Sequence, residues 1–362
     1  MPKKTIVKTY SDEKRTLEVD ECAAAQDAIQ SKNYELAKAL FEELISKGNM
    51  VAMIDLARLH LRGLISSPDY KGATAHLEVA FEAGYAEVAT DLGKCYERDS
   101  CIEQNISKAI EMYRAAAHLG CPDGMFNLGR CYLHGLGVQK HTANAIIWLG
   151  KAAHSDHAQA CYWMGGLYLD ARYIEVDETM ASNFYDRGAS LGDSNCQNKL
   201  GLMYRDGIGR DRNLAQAWSL FCLSAQSENE WGQYLLGMMY LEGLYVDKDY
   251  EMAVNYISLA AAQALSDAQL ELGALYGKGH GVPKDRSMSI HLYKLAAEQN
   301  NAIACSNLGI IYCNGDGVDQ DINLGIKYLK KSAELGDEGA RISLLTISNK
   351  YGINTEQTPT LQ

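Results

Sequence analysis

Residues 272–285 read LGALYGKGHGVPKD, with glycines at positions 277, 279 and 281 and a lysine at position 284. A run of this kind suits either a loop that binds phosphate or a turn between two helices. A nucleotide site should occur once in a chain, whereas the turn of a repeat recurs at a fixed spacing. The Leu-Gly pair that opens the stretch recurs every 36 residues without insertion or deletion, beginning at 92, 128, 164 (as Met-Gly), 200, 236, 272 and 308. The stretch is therefore predicted to be one turn of a repeat protein.

Each repeat divides into a first helix, a glycine turn and a second helix, as in 123–134, the turn GLGVQK and 142–154. In the first helix, Gly124, Leu128 and Tyr132 are spaced four residues apart and share one face, which is typical of a helix packed on one side. Degenerate copies of the Leu-Gly pair begin at 56 and 344 and bring the count to nine. We therefore predict an all-α solenoid of about nine 36-residue helix–turn–helix repeats.

A polar residue stands before each second helix, where free backbone N–H groups need a side-chain acceptor. In eight copies this cap column is Asn or Asp: Asn33, Asp69, Asn105, Asp177, Asn213, Asp249, Asp285 and Asp321. His141 departs from the column, and Thr142 beside it is a candidate substitute. Just upstream, pairs such as Gly279 and Gly281 permit the left-handed backbone that ends a helix. A phosphate loop would need a preceding strand and a GK[ST] motif, and the sequence has neither.

The composition indicates a soluble protein of the cytoplasm. The formal net charge of −12 disfavours general binding to nucleic acid or anionic lipid. No run of about 18 apolar residues is present to insert into a membrane, and the first residues lack the apolar core of a secretory signal. The ten cysteines scatter over the repeat, which fits buried, reduced thiols and neither zinc nor a disulfide ladder.

Catalytic and metal-binding motifs are missing from the sequence. It contains no GxSxG, no SxxK with its accompanying motifs and no HExxH. His154 and His157 flank a carboxylate in HSDH, but no third ligand stands beside them, and they are expected to be exposed loop histidines. We predict no enzyme, no cofactor and no metal site, with a catalytic set assembled from non-repeating residues left open.

The combined columns, seen in AAHLGCPDGMFNLGRCYLHGLGV (116–138) and AAEQNNAIACSNLGIIYCNGDGV (296–318), resemble Sel1-like repeats, which are relatives of the tetratricopeptide repeat. The resemblance implies antiparallel helix pairs in a right-handed superhelix with the first helices on its concave side. It also implies an adaptor or scaffold. A secreted, cysteine-rich branch of the family is linked to β-lactam binding, but Ala153 and Ala297 replace the cysteines that its bridges need.

The domain boundaries follow from the extent of the repeats. Residues 1–20 are predicted to form a flexible N-terminal arm, and residues 21–350 a single solenoid. Within it, residues 21–47 resemble a tetratricopeptide hairpin that caps the stack. The polar residues 351–362 are predicted to form a disordered tail.

Variable columns are the expected binding positions, because the repeating positions are occupied with packing. Two residues after the leucine of the Leu-Gly pair, hereafter the ladder leucine, three successive repeats have a cation: Arg58, Lys94 and Arg130. In later repeats the same column becomes apolar, as at Met238. Stacked helices lie about 8–10 Å apart, so these cations would form a short ladder. Aromatic residues recur two positions before the ladder leucine: Phe126, Tyr162 and Tyr234. Trp163 is adjacent to Tyr162. Equally open is that both columns are partly buried and that the cations pair with Asp55, Asp91 or Glu97.

The sequence predicts a non-catalytic adaptor or scaffold that binds a partner peptide or helix in the concave groove. Its partner is expected to carry acidic and apolar residues, and nucleic acid is not an expected partner. A second interpretation is an immunity-type inhibitor that sequesters a toxic enzyme, in which case an acidic inhibitor favours a basic target. A third, weaker one is a hydrolase or β-lactam-binding protein.

Overall fold

The computed structural model describes residues 12–98 and 104–352, which form α-helices, one 3₁₀ turn and no β-strand. The predicted all-α helical solenoid class is confirmed. None of the described helices is long and apolar enough to cross a lipid bilayer. The chain divides into two compact units, Met1–Val176 (unit 1) and Asp177–Gln362 (unit 2).

Unit 1 contains ten α-helices within its described residues. They are α1 Asp12–Glu21, α2 Ala23–Gln30, α3 Tyr34–Ser46, α4 Met50–Leu61, α5 Tyr70–Glu82, α6 Ala89–Glu97, α7 Ile106–His118, α8 Pro122–His134, α9 Thr142–His154 and α10 Ala158–Tyr168. A 3₁₀ turn, Ala86–Val88, precedes α6. The first helices of successive repeats are α4, α6, α8 and α10, and α5, α7 and α9 are second helices.

Unit 2 also contains ten α-helices within its described residues. They are α11 Glu178–Ser190, α12 Ser194–Asp206, α13 Leu214–Gln226, α14 Glu230–Glu242, α15 Tyr250–Ala262, α16 Ser266–Lys278, α17 Arg286–Glu298, α18 Ala302–Asn314, α19 Ile322–Glu334 and α20 Glu338–Tyr351. Here the even-numbered helices are first helices and the odd-numbered helices are second helices.

The ladder leucine lies at the centre of the packing in both units. Eight of its copies are almost completely buried: Leu56, Leu92, Leu128, Met164, Leu200, Leu236, Leu272 and Leu308. The large apolar column of the second helix is buried against them: Phe41, Leu77, Tyr113, Leu149, Tyr185, Phe221 and Ile257. Burial of one such side chain contributes about 1.5–3 kcal/mol. The predicted ladder therefore stabilises each hairpin against its neighbours.

The predicted cap column begins the second helices. The side chains of all eight Asn and Asp residues accept a backbone N–H of the following turn. His141 does the same, because its Nδ1 accepts the N–H of Asn144 at 3.2 Å. The suggestion that Thr142 substitutes for it was wrong. An imidazole nitrogen is as able to accept here as an amide or carboxylate oxygen.

The stretch 272–285 is the turn that its recurrence predicts. Helix α16 continues to Lys278, so Gly277 lies buried inside the helix. Gly279 ends the helix in the left-handed conformation at φ +74°, and Gly281 is left-handed at φ +71°. Asp285 then caps α17 by accepting the Met288 N–H at 2.9 Å.

The tyrosine column links the two helices of a hairpin through the backbone. In six repeats its carbonyl accepts the N–H of the residue that caps the second helix, as between Tyr276 and Asp285 at 3.0 Å. His60 replaces the tyrosine in the first repeat, and its Nδ1 accepts the Asp69 N–H at 2.8 Å. His60 is buried, and this burial lowers its pKa. The link is therefore kept by a side chain where the tyrosine is missing.

The N-terminal helices pack on the first repeat. Residues 12–21, within the segment predicted as a flexible arm, form α1. The buried Asn49 side chain donates to the Glu18 carbonyl at 3.0 Å and to the Glu21 carboxylate at 2.8 Å, which fixes α1 at the start of α4. Phe41 is fully buried in the cluster formed by α2, α3 and α4. The rest of the predicted arm and residues 353–362 of the predicted tail lie outside the described residues.

Candidate functional site

Each of α4 and α6, the first helices of two successive repeats, has two cations at or directly after its C-terminal end. The predicted Arg58 and Lys94 lie on α4 and α6, and Arg62 and Arg98 follow four residues later, directly after the last residue of each helix. All four side chains line one cavity of about 420 Å³, hereafter the α4–α6 cavity.

Arg58 connects two neighbouring repeats. Its Nε lies 2.9 Å from the Asp91 carboxylate on α6, and its Nη1 lies 3.5 Å from the Asp55 carboxylate on α4. Burial raises the pKa of Asp55, and the opposing effect of Arg58 is smaller. Gln26 also donates to Asp55, at 2.7 Å. Arg58 is thus committed to ion pairs inside the protein.

Arg130 is paired with a carboxylate more completely than Arg58 is. Its Nη2 donates to both carboxylate oxygens of Glu97, at 2.7 and 2.5 Å, and the Tyr113 hydroxyl donates to the same carboxylate at 2.7 Å. Burial alone would raise the pKa of Glu97, but the hydrogen bonds from Arg130 and Tyr113 hold it below its ordinary value. The charge of Arg130 is therefore balanced where it lies, with its side chain only 22% exposed.

Lys94 is held loosely. Its Nζ lies 3.5 Å from Asp123, and its side chain is 44% exposed. Asp123 is shared with His157, whose Nε2 lies 3.2 Å away. The hydrogen bond from His157, together with the charge of Lys94, lowers the pKa of Asp123 to about 2.

His157 is a structural residue of the α8–α10 junction. Its Nδ1 accepts the Ala160 N–H at 3.0 Å and so caps α10, while its Nε2 faces Asp123. The side chain is 14% exposed, so the expectation of an exposed loop histidine was wrong for His157. His154 is exposed, as expected. Among the described residues, no group of three or more His, Cys, Asp and Glu side chains is arranged to hold a metal ion.

Arg62 and Arg98 differ from the other cations. Both are exposed, and neither forms an ion pair with a carboxylate in the part of the chain that the structure describes. Leu61, Asp91 and Cys95 complete the lining of the α4–α6 cavity. A second cavity of about 390 Å³ adjoins it through Lys94 and Arg98 and is otherwise lined by Glu97, Asn127 and Arg130. Within the described part of unit 1, the α4–α6 cavity is thus lined by two exposed arginines without an ion-pair partner and by the loosely held Lys94.

The predicted aromatic residues of unit 1 lie beside this region. Phe126 is buried, with its ring stacked on His157 at 4.6 Å and edge-on to Trp163 at 5.4 Å. Trp163 and Tyr162 are half-buried, and the exposed His134 lies edge-on to Trp163 at 5.6 Å. Phe126 is thus a packing residue, and Trp163 offers the accessible aromatic surface.

The predicted residues Tyr234 and Met238 lie on α14 in unit 2, where both are half-buried against the apolar cluster of α14, α15 and α16. Tyr234 lies edge-on to the exposed Trp231 at 5.9 Å. Burial, followed by the charges of Glu271, Asp267 and Glu242, raises the pKa of Tyr234. Its surroundings are acidic, in contrast to the α4–α6 cavity.

The repeat pattern matches a known family over most of the chain. The Sel1 repeat model matches nine segments: 28–49, 51–85, 86–121, 122–157, 158–193, 194–229, 232–265, 266–301 and 302–337. The chain belongs to the Sel1 repeat family. The resemblance seen in the sequence is thereby confirmed.

Solved structures of other proteins share this Sel1 repeat architecture. A protective antigen present in uropathogenic Escherichia coli strains, which displays the Sel1-like repeat fold, is 30% identical with a TM-score of 0.70, and the match covers 86% of this chain and 67% of that chain. A Sel1 repeat protein from Oxalobacter formigenes is 24% identical with a TM-score of 0.60, covering 74% of this chain and 97% of that chain.

An immunity protein from Pseudomonas aeruginosa is 17% identical with a TM-score of 0.41, covering 59% of this chain and 81% of that chain. A likeness at this level says nothing about function. A search of curated proteins finds no significant match to the sequence.

Four residues of the candidate site were missed by the column comparison along the Sel1 repeats. Arg62 and Arg98 could have been found, because they stand four residues after a predicted cation and therefore on its face. His157 belongs to a cap column of the first helices, seven residues before the ladder leucine: Asn49, His157, Asp193, Asn229, Asn301 and Asp337. Asp123 gave no signal in the sequence, because its contacts with Lys94 and His157 join residues that lie 29 and 34 positions away.

Proposed function

We propose that this Sel1 repeat protein is a non-catalytic adaptor in which α4, α6 and α8 of unit 1 bind an acidic segment of a partner protein. Proteins of the family generally mediate protein–protein interactions. The observation that carries the proposal is the exposed, unpaired state of Arg62 and Arg98 at the α4–α6 cavity, within the described residues of a chain of net charge −12. Cations that cluster without internal partners favour a ligand of opposite charge and fix its register.

The five cations of the two cavities have different expected roles. Arg58 and Arg130 hold neighbouring repeats together through Asp91 and Glu97, so they shape the surface without needing to touch the partner. Arg62, Lys94 and Arg98 are expected to make the contacts, because their charges are free or loosely held.

Trp163 offers the partner segment an apolar contact. A series of contacts runs from Lys94 to Asp123, from Asp123 to His157 and from His157 to Phe126, and Trp163 lies against Phe126. A partner residue placed over Trp163 would meet half-buried aromatic surface, which is a common anchor in protein interfaces. We therefore expect the partner segment to combine acidic residues with at least one apolar residue.

In the inhibitor interpretation of the sequence, the net charge of −12 favours a basic target. The cationic α4–α6 cavity favours an acidic ligand instead, so the adaptor is the function that we propose.

Quantitative capture of partners by the full chain tests the proposal. The test variant is Arg62→Glu/Arg98→Glu, and the matched control is Lys71→Glu/Lys140→Glu, which changes the charge equally at two other exposed cations of unit 1. We expect the captured amount of a defined set of partners to fall by about tenfold or more with the test variant and not with the control. Photo-crosslinks from position 98 should map to acidic partner segments. Equal capture by all three folded proteins would contradict the proposal.

A further inference from the structure

The described lining of the α4–α6 cavity contains four cations and one carboxylate. Asp91, the carboxylate in its lining, is occupied by Arg58 at 2.9 Å. Lys94 has only the 3.5 Å contact with Asp123, which His157 shares. Arg62 and Arg98 have no carboxylate partner among residues 12–98 and 104–352. Two exposed guanidinium groups without an ion-pair partner in the described residues, and one loosely held ammonium group, therefore line a single cavity. Asp55 and Glu97 interact with Arg62 and Arg98 only from beyond ion-pair distance.

The adjoining cavity is electrostatically different. Its Glu97 and Arg130 neutralise each other, and Tyr113 donates to the same carboxylate. Asn127 adds a neutral amide to its lining. A long run of acidic residues would therefore find unpaired cations only at the α4–α6 end. The charge distribution fits one strongly anionic group followed by ordinary residues.

We infer that the α4–α6 cavity binds a phosphoryl group on the partner segment, carried by a phosphorylated serine or threonine. A phosphate monoester bears about −1.5 to −2 charge near neutral pH and three strong acceptor oxygens, whereas a carboxylate bears a single charge and two oxygens. Guanidinium groups such as those of Arg62 and Arg98 form paired hydrogen bonds to phosphate, and an ammonium group such as that of Lys94 adds a point charge. This inference rests on the proposed function and specifies the chemistry of the partner's anchor.

Two measurements on the full chain test the inference. In the first, partner capture is compared between untreated lysate and lysate treated with phosphatase. In the second, the chain is presented with degenerate peptide libraries that differ only at one fixed central residue, which is phosphoserine, serine or glutamate. The variants are Arg62→Gln/Arg98→Gln and the control Lys71→Gln/Lys140→Gln, so that charge is removed without being reversed.

We expect phosphatase to reduce capture by about tenfold or more, which is the factor for losing a single charge-assisted hydrogen bond. Retention of the phosphoserine library should exceed that of the other two by a similar factor, and only Arg62→Gln/Arg98→Gln should remove the excess. Equal retention of the three libraries, or of the phosphoserine library by that variant, would overturn the inference. If capture needs Arg62 and Arg98 but survives phosphatase, the phosphoryl anchor is wrong and the acidic-segment adaptor stands.

Discussion

Arg130 donates through Nη2 to both carboxylate oxygens of Glu97, at 2.7 and 2.5 Å, across 33 residues of sequence. The pair joins α8 to α6, the first helices of neighbouring repeats, and Tyr113 on α7 donates to the same carboxylate. One of the cations that the sequence predicts for partner binding therefore holds two repeats in register. Its side chain is only 22% exposed, so contact with a ligand would require it to leave Glu97.

Glu97→Gln should destabilise the protein by about 1–3 kcal/mol, because it leaves a half-buried guanidinium without its carboxylate. Urea denaturation at neutral pH measures the change. The control is Glu111→Gln on the exposed face of α7, expected to stay within about 0.5 kcal/mol. Equal free energies of unfolding for the two variants would mean that the pair contributes nothing.

The contribution of Glu97 should depend on pH in a defined direction. Its pKa is lowered in the folded protein, whereas in the unfolded chain it is about 4.3. A carboxyl with a lowered folded pKa contributes stability that is fully present above the unfolded pKa and is lost as pH falls through the folded pKa. We expect the difference in unfolding free energy between wild type and Glu97→Gln to be constant from pH 7 to about pH 5.

Below about pH 4 this difference should shrink, since protonated Glu97 no longer differs in charge from glutamine. The other carboxyl groups titrate in both proteins and cancel from the difference. A difference that persists undiminished at lower pH would assign the effect to packing and not to charge.

Arg62→Ala/Arg98→Ala should leave the free energy of unfolding within about 0.5 kcal/mol of wild type, or raise it slightly by relieving repulsion among the cavity cations. Arg58→Ala should lower it by about 1 kcal/mol, because Asp55 and Asp91 lose their counter-ion. Chemical denaturation of both variants distinguishes cations that stabilise the fold from cations that do not. If Arg62→Ala/Arg98→Ala is less stable than Arg58→Ala, then Arg62 and Arg98 are structural residues and the proposed division of roles is wrong.

The sequence is sufficient to predict the Asn and Asp caps of the second helices, because such a cap joins residues three apart. Asp285 and Met288 meet through local backbone geometry alone. His141 makes the same contact with Asn144, although the sequence comparison assigned that cap to Thr142. The spacing of 36 residues then transfers each cap to every repeat. The burial of the leucine ladder follows in the same way, since one packed hairpin determines the next.

The pairing of the cations is less predictable. Arg58 has Asp55 and Asp91 within reach, and Arg130 bonds to Glu97 in the preceding repeat. The sequence names Asp55, Asp91 and Glu97 as candidate partners, but it does not decide between paired and free cations, because each contact depends on side-chain rotamers on adjacent helices. The column comparison found Arg58 and Arg130 but not Arg62 and Arg98, which lack an ion-pair partner among the described residues, because it did not extend to the position four residues later.

Gly281→Ala should be among the most damaging single substitutions in unit 2. A Cβ there would lie 2.3 Å from the carbonyl oxygen of Tyr250 and 2.9 Å from the nitrogen of Glu251, both at the start of α15. The matched control is Gly192→Ala, since Gly192 has a φ of +85° and nothing within 4 Å of its Cβ position. Both substitutions incur the strain of a left-handed alanine, about 1–2 kcal/mol.

Only Gly281→Ala adds a clash with backbone, which cannot move aside as a side-chain tip can. We expect a loss of about 3 kcal/mol or more for Gly281→Ala, against about 1–2 kcal/mol for the control. Thermal and urea unfolding measure both. Similar losses of stability for the two variants would mean that the turn shifts away from α15 at little cost. Gly281 would then be required for its backbone conformation and not for the close approach of the neighbouring repeat.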